Sequence, residues 1–140
     1  MPEPDDLWGN GFHASDVEPA PVALLREQAS LLSSKTEGRV VGDVKEHVSA
    51  DGTVWTSLYA RVPALGDYEH KIISLSFPVT ARDLGFPSPL TAVNTRNGDK
   101  VEFDDMGRFR GWLRTVLTSD EVRSIINNLM RYGGKATASA

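Results

Sequence analysis

Three histidines, at positions 13, 47 and 70, are the residues best suited to acid–base or metal chemistry, because imidazole titrates near neutral pH. Glu46 and Glu69 precede two of them, but adjacent strand residues point to opposite faces, so neither Glu-His pair can chelate one ion. If His47 and His70 flank one strand, they stand roughly 9 to 10 Å apart, which is long for joint metal ligation. We therefore predict surface or aromatic-packed histidines, no metal and no cofactor.

Two carboxylate pairs, Asp104–Asp105 and Asp120–Glu121, could act as acid and base or hold a cation. Each pair stands at the start of a predicted helix, where the helix dipole favours negative side chains, and we expect that role instead. The chain contains neither a Gly-x-Ser-x-Gly elbow nor a cysteine, so serine and cysteine nucleophiles are not expected. We therefore name no catalytic residue.

Charge is distributed unevenly along the 140 residues. The net charge is -4, and the first 21 residues hold five acids with no Lys or Arg, which leaves the remainder at -4 + 5 = +1. A nearly neutral body argues against strong non-specific nucleic-acid binding. No apolar run approaches the roughly 18 residues of a membrane span, and the absence of cysteine favours a reducing, cytoplasmic location.

Hydrophobic spacing predicts an α+β fold. We expect an N-terminal helix, an antiparallel three-stranded meander extended by a short hairpin, and two C-terminal helices packed on one sheet face. We expect residues 1–20 to form an acidic, flexible lead-in, residues 21–133 a single domain, and residues 134–140 a disordered tail. The first helix is expected at 22–34, and the strands at 39–48, 54–62, 68–77, 90–94 and 100–103.

A turn ending in Gly52 fixes the register of the first two strands. A three-residue hairpin loop with a final glycine pairs positions whose numbers sum to 102. This register places Val48 opposite Val54, Val44 opposite Leu58, and His47 opposite Trp55.

The last third of the chain predicts two amphipathic helices, separated by a capping box of Thr118 and Glu121. The second helix is expected to end at the glycines at 133–134. Gly107 and Gly111 lie four residues apart in the first helix, which indicates a close approach by a crossing helix or strand, with a ligand as the alternative.

The second strand carries large side chains on both faces, so its second face calls for a cover, a partner or a ligand. If the next strand continues the alternation, the aromatic residues of this face lie between two histidines. The predicted partner-binding residues are Trp55, Tyr59, Tyr68, His70, Ile72 and His47. A cover from residues 1–20 or 78–89 of the same chain is the competing explanation.

The order of elements is similar in layout to that of the small acidic chaperones of bacterial type III secretion. Our leading hypothesis is a bacterial, non-catalytic protein-binding module, chaperone-, adaptor- or immunity-like, whose partner is another protein or a second copy of the chain. One alternative is a small-ligand binder or enzyme with a pocket between the sheet and the 78–89 loop. Another is nucleic-acid binding through the arginine-bearing C-terminal helices.

Overall fold

Alternating apolar residues build one five-stranded antiparallel sheet, and three helices accompany it, within the residues described by this computed structural model: 7, 18–81 and 86–138. The chain is therefore α+β. All five strands follow one another in chain order across this single sheet. The elements are α1 (Ala20–Lys35), β1 (Val41–Val48), β2 (Thr53–Val62), β3 (Tyr68–Pro78), β4 (Leu90–Asn94), β5 (Asp99–Phe103), α2 (Met106–Leu117) and α3 (Asp120–Ala138).

The hairpin of β1 and β2 has the register that its turn predicts. Every pair sums to 102, and the three predicted pairs, including His47 with Trp55, are confirmed. Gly52 adopts a φ of 84°, a left-handed conformation that glycine reaches without steric cost. Asp51 supports the turn by accepting hydrogen bonds from the Thr53 N–H, at 3.1 Å, and from the Ser49 hydroxyl. These contacts lower the pKa of Asp51, the Ser49 hydrogen bond contributing most.

The ladder between β2 and β3 contains a β-bulge. Leu58 pairs with Ile73, but the next residue, Tyr59, pairs with Lys71, so Ile72 is an extra residue on β3. A bulge of one residue reverses the facing of every side chain beyond it. The N-terminal half of β3 therefore presents the opposite faces from those that unbroken alternation predicts.

Helix α1 packs closely across β1. A Cβ on Gly42 would lie 2.2 Å from the Ala29 carbonyl oxygen, so only glycine allows the helix to approach this strand. The Gly42 N–H donates a 3.0 Å hydrogen bond to the Ser33 hydroxyl, which satisfies a backbone donor at the sheet edge. Gly107 and Gly111, by contrast, have no such close neighbour among the described residues, so no described helix or strand makes the close approach that was predicted there.

One hydrophobic core joins the helices to one face of the sheet. Val22 and Leu25 of α1 and Phe109 of α2 are fully buried with apolar residues of β2, β3 and β4. Phe109 also contacts Phe103 and Trp112 at ring-centroid distances of 5.8 and 6.2 Å, which fixes α2 against the end of β5. We call this the covered face.

The two C-terminal helices each start after a capping residue, and the junction between them differs from the one predicted. The Asp105 carboxylate caps α2 by accepting a 2.9 Å hydrogen bond from the Arg108 N–H, as its position before the helix predicts. Thr118 instead ends α2, and Ser119 caps α3 by accepting from the Val122 N–H at 3.3 Å, so the predicted capping box is wrong.

Helix α3 also continues beyond the glycines that were expected to end it, as far as Ala138. At Gly133 a Cβ would lie 2.8 Å from the Arg39 carbonyl oxygen. This glycine therefore allows α3 to pass close to the chain entering β1, where the sequence predicted a helix stop.

Candidate interaction surface

The face of the sheet opposite the core carries no helix within the described part of the chain, and we call it the open face. His47 and Trp55 lie side by side on it, on paired positions of β1 and β2. Trp55 is 40% exposed and His47 is exposed. A large aromatic side chain on a rigid strand is therefore available at this surface.

A pair of serines forms the floor beside Trp55. Ser57 and Ser74 occupy paired positions of β2 and β3, and their hydroxyl oxygens lie 2.8 Å apart in a hydrogen bond. Both residues are buried, because larger side chains surround them. Small residues between large ones leave a shallow depression of about 320 Å³, lined by Lys45, His47, Trp55, Ser57, Tyr59, Lys71 and Ser74.

Tyr59 stands on the other side of the depression, between two lysines. The ammonium groups of Lys45 and Lys71 lie 5.1 and 5.7 Å from the centre of its ring, within the range of cation–π attraction. Lys45 also donates to both carboxylate oxygens of Glu69, at 2.6 and 2.7 Å. This hydrogen bond raises the pKa of Lys45 above its ordinary value.

The structure divides the predicted partner-binding residues into two groups. His47, Trp55 and Tyr59 come together on the open face. Because of the bulge, Tyr68 pairs with Val62 and His70 with Ala60, which are fully buried residues of the covered face. The expectation that His70 and Tyr68 flank the aromatic centre of the open face is therefore wrong.

Ile72 is also placed away from the open face. This residue is 5% exposed and lines a cleft on the covered side together with Leu58. It is the extra residue of the bulge, so both Ile72 and its neighbour Ile73 contribute to the core.

Glu69 and Lys71 lie on the open face, where alternation predicted His70 and Ile72 instead. Neither residue was identified from the sequence as part of this surface. Both follow from the one-residue shift at Ile72. The signal in the sequence was the adjacent pair Ile72 and Ile73, since a strand with one buried face rarely places two large apolar residues in succession.

The described residues bring together no group of three His, Asp or Glu side chains that could hold a metal ion. The pocket expected beside the 78–89 loop involves residues 82–85, which lie outside the described residues. The same is true of most of the lead-in, although Leu7 is described and is 92% exposed. No helix in the described ranges is both long and apolar enough to cross a membrane.

Comparison of the chain with protein-family models, with curated proteins and with solved structures gives no match.

Proposed function

We propose that the chain is a non-catalytic protein-binding module that engages another protein, or a second copy of itself, through the open face. The supporting observation is that Trp55 is 40% exposed on a sheet face without helical cover among the described residues. Tryptophan and tyrosine are enriched at the energetic centres of protein interfaces, because they bury a large area at a small cost in side-chain entropy.

The surroundings of Trp55 suit a contact with one inserted side chain. Trp55 and Tyr59 border the shallow depression above Ser57 and Ser74, and the serine hydroxyls already bond to each other. An apolar or aromatic group of the partner can fill this depression without leaving a buried hydroxyl unpaired. The lysines around Tyr59 form a polar rim, as is usual around an interface centre.

The proposed contact surface therefore consists of His47, Trp55 and Tyr59, with Lys45 and Lys71 at its rim. Three residues that the sequence also predicted as partner-binding are omitted. Tyr68 and His70 pair with covered-face residues of β2, and Ile72, the extra residue of the bulge, is buried beside the cleft on that side. A cytoplasmic setting belongs to the same proposal, since a chain without cysteine suits a reducing compartment.

The experiment compares the wild-type chain with the double variant Trp55→Ala/Tyr59→Ala. Mass in solution is measured by light scattering, and proteins captured from a lysate of the native cell are identified by mass spectrometry. We expect the double variant to keep its circular dichroism spectrum and to lose self-association or specific captured proteins.

Tyr68→Ala is the matched control, since Tyr68 is an aromatic residue of the same sheet with 51% exposure, on the covered face. It should behave as the wild type in both measurements. A double variant that folds normally, keeps its mass in solution and captures every protein that the wild type captures contradicts the proposal.

A further inference from the structure

A second concave surface lies on the covered side of the molecule, away from the open face. Helix α1 packs on β1 and β2, while α3 packs on β2 and on the turn that follows it. Between these helices and the end of α2, the sheet is left partly uncovered, and a cleft of about 400 Å³ opens. This volume lies within the roughly 300 to 1,000 Å³ that is typical of small-molecule sites.

The cleft has an apolar floor and walls. Leu58, Ile72 and Val122 at its base are 2%, 5% and 6% exposed, so the floor belongs to the core. Leu31 is 42% exposed at the wall formed by α1, where a large apolar side chain meets solvent. Because the floor of the cleft belongs to the core, the cleft suits a narrow aliphatic chain better than the surface of a folded protein.

The charged residues that line the cleft are both cations. Lys35 from α1 and Arg123 from α3 are exposed, and the lining contains no Asp or Glu. Neither cation forms an ion pair with another described residue. Their stems can lie along the apolar wall while their charged ends stay at the mouth.

The positive charge continues beyond the cleft. A groove of about 250 Å³ adjoins it and shares Gln28, Leu117 and Thr118 with its lining. The charged residues of this groove are Arg110 and Arg114, again without an acid. The chain as a whole carries -4, so four cations without an acid along one apolar trough are a local departure from its overall charge.

We propose that this cleft is a binding site for a small amphiphilic anion, a single-chain aliphatic carboxylate. The tail lies over Leu58 and Ile72, and the carboxylate accepts hydrogen bonds from Lys35 and Arg123 at the mouth. Hydrogen bonds between ionised groups are stronger than neutral ones, and the apolar lining contributes affinity without requiring a particular polar partner. The site is independent of the protein-binding function proposed for the open face.

The test uses three probes with a ten-carbon chain: decanoate, whose tenth carbon is the carboxylate, decanol and decyltrimethylammonium. Each is titrated into the full chain and followed by calorimetry, with the two ionic probes below their micelle concentrations and decanol below its solubility limit. We expect decanoate to bind one molecule per chain, several-fold more tightly than decanol or the cation, since two solvent-exposed ion pairs each contribute a modest amount. Equal affinity for decanoate and decanol overturns the proposal.

The variant Lys35→Glu/Arg123→Glu reverses the charge at the mouth and should weaken decanoate binding about tenfold or more. Lys100→Glu/Arg108→Glu is the matched control, because it makes the same change of charge at exposed positions outside the cleft. It should leave the affinity unchanged, and both variants are checked for folding by circular dichroism. Equal weakening by the two double variants shows a general charge effect and overturns the site.

Two further measurements complete the test. The first distinguishes a free carboxylate from a lipid surface as the source of the anion, and the second distinguishes the cleft from the open face as its site. Vesicles of phosphatidylcholine with phosphatidylglycerol present acyl chains and anionic headgroups as a surface; binding to these vesicles without binding of free decanoate overturns the proposal. Trp55→Ala/Tyr59→Ala should bind decanoate like the wild type. Loss of decanoate binding in that folded variant assigns the anion to the open face and also overturns the proposal.

Discussion

The two faces of the sheet use the same strands for different purposes. On the covered face, Val54, Leu58 and Ile73 are at most 2% exposed and join the helices in one core. On the open face, the neighbouring positions hold Ser57 in a buried hydroxyl pair and Trp55 with 40% of its surface exposed. Full burial of one large apolar side chain stabilises the fold by roughly 1.5 to 3 kcal/mol. A solvent-exposed ion pair, such as those on the open face, adds little to the free energy of unfolding.

The difference between the faces indicates where side chains can be substituted without unfolding the protein. The covered face packs into the hydrophobic core, so its side chains are constrained by their neighbours. The open face is constrained much less by stability, which leaves its aromatic and charged residues available for recognition. Adjacent residues of β2 therefore offer direct tests of the contrast.

The largest effect is expected from Phe77→Ala on the covered face. Phe77 is 2% exposed in the core, and its truncation should lower the free energy of unfolding by about 3 to 5 kcal/mol through lost burial and a cavity. Trp55→Ala on the open face should cost about 1 kcal/mol or less. Denaturant unfolding measures both values. A similar cost for the two variants would show that Trp55 is packed under a cover and would remove the contrast.

The next largest effect concerns the close packing of α1 on β1. Gly42→Ala should lower the free energy of unfolding by about 1 to 3 kcal/mol, because its Cβ would overlap the Ala29 backbone and displace the helix. Gly111→Ala is the matched control: its Cβ meets no described atom within 4 Å, and alanine in a helix should stabilise by about 1 kcal/mol. Thermal unfolding should move in opposite directions for the two variants.

The sequence was sufficient to predict the β1–β2 hairpin in register. The turn ending in Gly52 fixes the offset, and both faces of the two strands agree with it, so local chemistry and burial pattern give the same answer. The existence of the two C-terminal helices, α2 and α3, could also be predicted, because their apolar residues repeat with the helical period.

The composition of the open face could not be predicted so fully, because it depends on a bulge in β3. Alternation assigns Ile72 and His70 to the open face. The adjacent pair Ile72 and Ile73 is a sign of a break in this alternation, but the pairing with β2 is needed to show that the ladder slips by one residue there. The error at Ser119 has a similar origin, since Thr118 and Ser119 are adjacent and either hydroxyl could cap α3. In both cases, a shift of one position changes a contact without changing the overall pattern.

Two adjacent hydroxyls on β2, one on each face of the sheet, should respond in opposite directions when removed, each changing the free energy of unfolding by about 1 kcal/mol. Thr56, on the covered face, is fully buried, and its hydroxyl has no hydrogen-bond partner among the described residues. Thr56→Val should therefore raise the free energy of unfolding by about 1 kcal/mol, since it removes a buried unpaired group with little change of shape. Ser57→Ala should lower it by about 1 kcal/mol, because the Ser74 hydroxyl is left buried without its partner. Destabilisation by Thr56→Val in denaturant unfolding would indicate a partner for that hydroxyl.

The smallest effect is expected at the ion pair of Lys45 and Glu69, which has the side-chain exposures of a surface contact at 50% and 27%. The Glu69 carboxylate raises the pKa of Lys45 above 10.5, so charged Lys45 is favoured in the folded state. The pair therefore adds stability below pH 10.5 and loses it as the pH rises through the folded-state pKa. Wild type should exceed Lys45→Met in stability at neutral pH, and the difference should shrink in that alkaline range. A double-mutant cycle with Glu69→Gln isolates the pair, and the absence of coupling at neutral pH would show that the open face gains no stability from this contact.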